Sequence, residues 1–250
     1  MRKILYFLRQ IGLDPLRFVR GLSKLPRYFS DLSEFRRINA TRGKFRISPV
    51  LNDFDDQAGS ADGHYFWQDL IAAQWIHSLQ SKSHLDVGSR IDGFIAHLLT
   101  FREVTLLDIR PTKLEISNLR VVLADAQKNL SEVVGKFSSV SSLHSIEHFG
   151  LGRYGDSLDP LGHEKGIIAI SECVDIGGSL FVSFPIGASS VEFNEQRIID
   201  PNWPVQILEN FDLCNFVLIP WKGLPNLTTS PQEVDKSKTG QAGLYWFKRK

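Results

Sequence analysis

The sequence predicts an α/β fold: a seven-stranded, mostly parallel sheet sandwiched by helices, with a basic helical N-terminal extension. Three observations predict it. Apolar segments that read as strands alternate with segments of helical period through most of the chain. The stretch His84 to Leu99, HLDVGSRIDGFIAHLL, joins a short strand to a helix through a glycine turn, which is the corner of an α/β sheet that holds nucleotide-like ligands. The last two strand-like segments, Leu213 to Ile219 and Gly243 to Lys248, have no helical segment between them and read as an antiparallel hairpin closing the sheet.

The chain has 250 residues, of which 42% are hydrophobic, enough for one domain with appendages. We place an extension and connector at residues 1–63 and the main domain at 64–250. The net charge of +1 hides an asymmetry. Residues 1–44 hold eleven Lys and Arg against three acids, and the remainder holds eighteen against twenty-five. The acidic remainder disfavours a nucleic-acid partner. Cys173 and Cys214 lie far apart in apolar segments, which fits neither a disulfide framework nor a thiolate metal site. No apolar run has the length to cross a bilayer, and Arg9 and Asp14 interrupt the core a signal peptide needs. A cytoplasmic location is the expectation.

Residues 1–22 set apolar residues among Arg and Lys at helical spacing, with Gly12 and Asp14-Pro15 marking a break and restart. Such a helix lies on an anionic membrane surface or packs on its own domain or a partner. Peripheral contact at the inner face of the membrane, through residues 1–44, is therefore one expectation. Leu25 to Gly63 reads as an irregular connector, and His64 to Leu79 as a helix on the sheet whose Trp67, Trp75 and His77 either line a site or, as is usual for an aromatic helix face, belong to the core.

The first strand ends at Asp86, read as an acceptor pointing into the crevice; Gly88 makes the turn and Gly93 lets the helix pack close to the sheet. Val104 to Asp108 is a second strand ending in a carboxylate about twenty residues after the turn, the spacing that reaches ribose hydroxyls. Arg110 to Ser117 is too short for a crossover helix. Leu119 to Ala124 is a third strand, and Asp125-Ala126 after it suits an adenine edge. Phe137 to Leu143 is a fourth strand, running into His144-Ser145-Ile146-Glu147-His148. That pentapeptide fits the zinc-protease pattern H-x-x-E-H, but Phe149-Gly150-Leu151-Gly152 ends the helical period at once, so the match reads as coincidence and no metal is expected. Glu164 to Val174 is a helix ended by Gly177-Gly178, Ser179 to Phe184 a fifth strand, Pro201 to Asn210 a helix, and Gly223 to Gly240 a mobile loop.

In this order the pieces resemble the class I S-adenosylmethionine-dependent methyltransferases, whose fold is Rossmann-like. More narrowly, LHSIEHFGLGRYGD, SFPIG and VEFNEQRIIDP resemble a predicted methyltransferase family of formerly unknown function with members in bacterial polysaccharide-synthesis clusters. The resemblance implies S-adenosylmethionine as cofactor, contacted by Asp86, Gly88, Ser89, Gly93, Asp108, Ile109, Asp125, Ala126 and His144. It implies methyl transfer to a hydroxyl of a sugar or glycan intermediate, for which His148 is the favoured base with His144 and Glu147 beside it. Tyr154, Asp156, His163, Asn194 and Arg197 are the expected substrate contacts. One departure stands out: the middle glycine of the D-x-G-x-G-x-G loop is Arg90 here and the last is Asp92. Arg90 favours an alternative reading, a catalytically inactive methyltransferase-like scaffold in a glycan assembly complex.

Overall fold

The computed structural model describes residues 12–38, 45–54, 63–128 and 130–250. The chain forms two compact units, Met1–Ser60 and Ala61–Lys250. The first contains helix α1, Pro15–Ile38. Asp14 accepts the backbone N–H of Arg17 and Pro15 takes the first helical position, a capped start in which the missing proline N–H costs nothing. The connector expected from Leu25 onward is corrected, because α1 runs through Pro26 to Ile38. Pro26 is exposed, where its steric demand is met on the solvent side. The part of the predicted extension at residues 1–11 lies outside the described residues.

The second unit opens with α2, His64–Ser78, and continues with β1, Ser83–Val87. A π turn at Ile91–Ile95 runs into α3, Ala96–Leu98, followed by β2, Glu103–Asp108, and β3, Leu119–Leu123. As the sequence predicts, no helix joins β2 to β3. Then come α4, Leu130–Val134, β4, Phe137–Leu143, a 3-10 turn at Ile146–His148, α5, Gly162–Glu172, and β5, Val174–Pro185. A small hairpin, β6 at Ser190–Glu192 with β7 at Gln196–Ile198, was not anticipated from periodicity. The remainder is α6, Trp203–Ile207, β8, Phe211–Pro220, and β9, Gln241–Arg249.

The seven-stranded sheet has the order β3-β2-β1-β4-β5-β9-β8. Pairs among β1 to β5 are parallel, and β9 pairs antiparallel with both β5 and β8. Chain direction along the sheet reverses between β1 and β4, the switch point outside which α/β sheets bind ligands. The sheet buries both faces. On one, Ile167 and Ile170 of α5 pack with Leu180, Val182 and Phe184; on the other, Ala72 and Ile76 of α2 pack with Phe181 and Leu244. Alternate side chains of β5 thus feed opposite cores.

Two readings of punctuation are corrected. Gly177-Gly178 does not end α5, which stops at Glu172; these glycines lie inside β5, Gly177 at φ 74°, where the pairing with β4 shifts register. The segment Gly223 to Gly240 is built rather than loose: Asn226 pairs with Leu218, Ser230 and Glu233 form a capping box, and Val234 is buried.

Candidate functional site

The serines of β4 explain how the loop after β1 is held. Ser139 and His84 Nδ1 lie 2.8 Å apart and His84 Nε2 and Ser141 Oγ 2.7 Å apart; Ser141 then donates to Asp86. Asp86 also accepts from the N–H and the hydroxyl of Ser89, and Ser89 Oγ accepts the N–H of Leu143. The result is a buried polar chain bolting β1 to β4. Burial pushes the Asp86 carboxyl up to about 7, against the hydrogen bonds from Ser141 and Ser89, and pushes His84 down to about 3, helped by Arg102.

This carries a pH prediction. A carboxyl whose pKa is raised in the folded state keeps a proton that the unfolded chain has already lost, so its contribution is full below about 4 and is lost as pH rises to about 7. The thermal midpoint of wild type minus that of Asp86→Asn should therefore fall across that window. A flat or rising difference would refute the assignment.

A cleft of about 330 Å³ opens at the carboxyl ends of β1, β2, β3 and β4, within the ~300–1,000 Å³ range of ligand sites. Its floor includes Gly88, Asp108, Ile109, Asp125 and Ala126, and its walls include His64, Tyr65, His144, His148, Tyr154 and Trp221. Gly88 has φ 75°, and a Cβ there would stand 2.2 Å from Ser145 Oγ, so only glycine fits this turn.

Asp86, Ser89 and Gly93 do not line the cleft. The expectation that Asp86 points into it is corrected, since its oxygens are spent on the bolt. Gly93 serves a helix rather than the sheet: a Cβ there would meet the Asp69 carboxylate of α2 at 2.5 Å. Arg90, in place of the usual glycine, forks onto Asp92 at 3.1 and 2.9 Å and lies 5.1 Å from the Tyr65 ring centroid. Ile95 N–H reaches the Arg90 carbonyl five residues back, the bond that makes the π turn.

Asp108 is engaged by its neighbour. Arg110 donates its backbone N–H and Nε to one carboxylate oxygen, at 2.8 and 2.9 Å, and Nη2 to the other at 2.6 Å. The same guanidinium lies 4.6 Å from the Tyr154 ring centroid. Asp125 accepts the N–H of Gln127 at 3.0 Å.

At the end of β4, His144 takes φ 50°, rare for a residue with a Cβ. Its Nδ1 is 2.9 Å from Oε1 of Glu147, which is completely buried, and neither His144 Nε2 nor Glu147 Oε2 has a partner among the described residues. Burial pushes the Glu147 carboxyl up, but His144, by charge and hydrogen bond, and His148 outweigh it, so Glu147 stays below its ordinary value. His148 donates Nδ1–H to the Glu195 carbonyl at 2.6 Å, and burial holds it below the usual histidine value despite Glu147. The His64 ring lies 4.5 Å from that of His144 and stacks on Trp221; burial and His144 lower its pKa to about 3. His148 ends a 3-10 turn that begins two residues after His144, so the two do not share a helix face, and Arg153 bonds the Glu195 carbonyl.

Of the expected substrate contacts only Tyr154 lines the cleft. Asp156 accepts backbone N–H groups of Gly150, Gly152 and Tyr154 and so shapes the loop. Asn194 is exposed at the tip of the β6-β7 hairpin. His163 and Arg197 line a separate cleft of about 450 Å³ with Trp203. Arg197 is buried and donates to the carbonyls of Glu147, Phe149, Asp159 and Pro160, clamping the chain after β4. Arg197→Met should cost about 2–4 kcal/mol of stability, since four carbonyls lose the buried guanidinium that ties them together; denaturant unfolding measures it, and a loss under about 0.5 kcal/mol would contradict the clamp. Of the residues missed from sequence, His64 and Tyr65 lay in a segment read as a core helix, Arg110 in a connection read as too short for a helix, and Trp221 between a strand and a loop. Their only signal was aromatic and basic side chains at element ends.

Comparison with solved structures finds the same fold. The N-methyltransferase NodS from Bradyrhizobium japonicum WM9, in complex with S-adenosyl-L-homocysteine, is 14% identical with TM-score 0.51, covering 75% of this chain and 89% of that one. An S-adenosylmethionine-dependent methyltransferase from Anabaena variabilis ATCC 29413 is 10% identical with TM-score 0.52, covering 74% and 86%. Another from Clostridium acetobutylicum ATCC 824 is 13% identical with TM-score 0.51, covering 76% and 93%. The fold is thus the Rossmann-like fold of class I methyltransferases. No curated protein matches the sequence. Residues 87–215 match the family model described as "Caenorhabditis protein of unknown function, DUF268", and the chain belongs to that family.

Proposed function

We propose that this protein is an S-adenosylmethionine-dependent methyltransferase acting on a hydroxyl of a sugar or glycan intermediate. The observation that carries the reading is the cleft at the switch point, with Asp108 and Asp125-Ala126 on its floor and the buried His144–Glu147 pair at its wall. The tight turn at Gly88 fits a bound nucleoside, and His144 Nε2, buried beside the His64 and Tyr65 rings, is left without a hydrogen-bond partner among the described residues. Asp108 would take ribose hydroxyls and Asp125 with the Ala126 N–H the adenine edge. When bound, S-adenosylmethionine supplies an electrophilic methyl group on a sulfonium. A sugar hydroxyl is a weak nucleophile and needs a base. Glu147 fixes the Nδ1–H tautomer of His144, leaving Nε2 to accept the hydroxyl proton. On this reading His144 is the base in place of His148, whose Nδ1 is committed to the Glu195 carbonyl. The aromatic walls at Tyr65, Tyr154 and Trp221 suit a sugar face, and a place in surface-polysaccharide synthesis rests on the motif resemblance alone.

A second reading, an inactive scaffold, is favoured by one observation: Arg110 already occupies Asp108. Calorimetric titration with S-adenosylhomocysteine separates the two. Micromolar binding supports the enzyme, and screening labelled methyl transfer onto sugar nucleotides and lipid-linked sugars then finds the acceptor. Absence of binding at millimolar ligand leaves the scaffold.

A further inference from the structure

Helix α1 carries one apolar stripe. Phe18, Leu22, Leu25, Phe29 and Leu32 follow one another at intervals of four and three residues, and Val19 flanks them, so all face one side of a 3.6-residue helix. Arg20, Lys24 and Arg27 fall on the opposite side together with Asp31 and Glu34, Arg27 standing 3.7 Å from Asp31, and Arg17 lies at the edge between the two faces. Phe18 is 68% exposed, Val19 63%, Leu22 48% and Phe29 59%, and Gly21 is the one buried residue of the helix. Gly21 is where Leu51 and Asn52 approach. Among the described residues Leu25 and Leu32 are half-buried while Phe18, Val19, Leu22 and Phe29 stay exposed, and an exposed apolar stripe of this size marks a binding face.

We propose that α1 lies flat on an anionic lipid surface, with the stripe in the acyl boundary and the cations among the headgroups. Charge selects this occupant over a second copy of the chain. In a coiled coil the stripe would supply only two heptads, fewer than a stable pair needs. The positions flanking its seam, Val19, Gly21, Pro26, Tyr28 and Ser33, hold none of the charges that register a partner helix. On a bilayer both faces are used, because a helix is about 10–12 Å across with its side chains and its apolar face enters about 5–10 Å. The cations stay within a Debye length of the lipid phosphates. Arg36 and Arg37 close the stripe at the helix end. The surrounding sequence has the same sign, with eleven basic residues against three acidic in residues 1–44.

The test is flotation of the full chain with phosphatidylcholine vesicles, alone or with about one third phosphatidylglycerol. The expected result is flotation with the anionic vesicles only, weakening as salt is added. Phe18→Glu with Leu22→Glu, and separately Arg20→Glu with Lys24→Glu, should each reduce it by about tenfold or more, whereas Phe18→Leu should retain it. Light scattering on the same samples should give one mass for wild type and both double variants. Flotation with neither vesicle or with both alike, indifference to the charge reversals, or a dimer that Phe18→Glu with Leu22→Glu dissociates would each overturn the proposal. Cofactor binding does not enter the readout, so the methyl-transfer reading stands or falls separately.

Discussion

His144→Ala is expected to lower the rate of methyl transfer by about 10²–10⁴-fold, the contribution of a positioned general base, while changing the affinity for S-adenosylhomocysteine less than about threefold. The split follows from the geometry. His144 Nδ1 is occupied by Glu147, and Nε2 has no partner among the described residues, so its loss removes a proton acceptor rather than a cofactor anchor. Glu147→Gln should lower turnover less, because an amide still orients the ring but no longer stabilises the imidazolium that forms. His148→Ala should change turnover by less than about tenfold, since its Nδ1 serves the Glu195 carbonyl. The backbone offers an independent check. At φ 50° a residue with a Cβ is strained by roughly 1 kcal/mol, so His144→Gly should be more stable than His144→Ala by about that much, both being inactive. Turnover with labelled methyl donor and thermal unfolding are the two measurements. A His144 variant with wild-type turnover would return the role to His148.

How much of this was legible in the sequence depends on which physical signal each part carries. The strands were, because they are buried on both faces and read as continuous apolar or small-residue runs: Phe137–Leu143 lies where the sequence predicts, as does the end of β2, and β1 ends one residue past Asp86. The cleft floor was legible for a related reason, since a turn glycine and carboxylates at strand ends are properties of single positions. The serines of β4 are the counterexample. Ser139 and Ser141 look like ordinary β-strand residues until His84 and Asp86 are set opposite them, and that pairing is a fact of sheet register. Asp86 was therefore read as a ligand group when it is a buried bolt. His163 and Arg197 were similarly placed by nearness in the chain to the site, whereas the β6-β7 hairpin turns Arg197 back onto the carbonyls of the Glu147 to Pro160 segment. The rest of the wall, His64, Tyr65 and Trp221, escaped because it is assembled from segments far apart in sequence.

Asp108→Ala and Arg110→Ala should shift S-adenosylhomocysteine affinity in opposite directions. A carboxylate that takes ribose hydroxyls offers charge-assisted hydrogen bonds worth about 1.5–3 kcal/mol each, so Asp108→Ala should weaken binding by about a hundredfold. In the structure three of the acceptor positions on that carboxylate are filled by Arg110, two of them by the side chain. A ribose must displace these or share what is left. The pair is half in solvent on the arginine side, where its side chain is 50% exposed against 12% for Asp108, so the ion pair itself contributes little to stability. Removing the guanidinium thus costs the fold little and frees two acceptor positions, and Arg110→Ala should tighten binding by about three- to tenfold. Tyr154 would lose its stacked cation at the same time, so Arg110→Lys, which keeps a charge but not the planar fork, should fall between wild type and alanine. If both alanine variants weaken binding, Arg110 holds the ligand instead of competing with it. If neither changes it, Asp108 is not the ribose carboxylate and the cofactor reading of the cleft loses its main support.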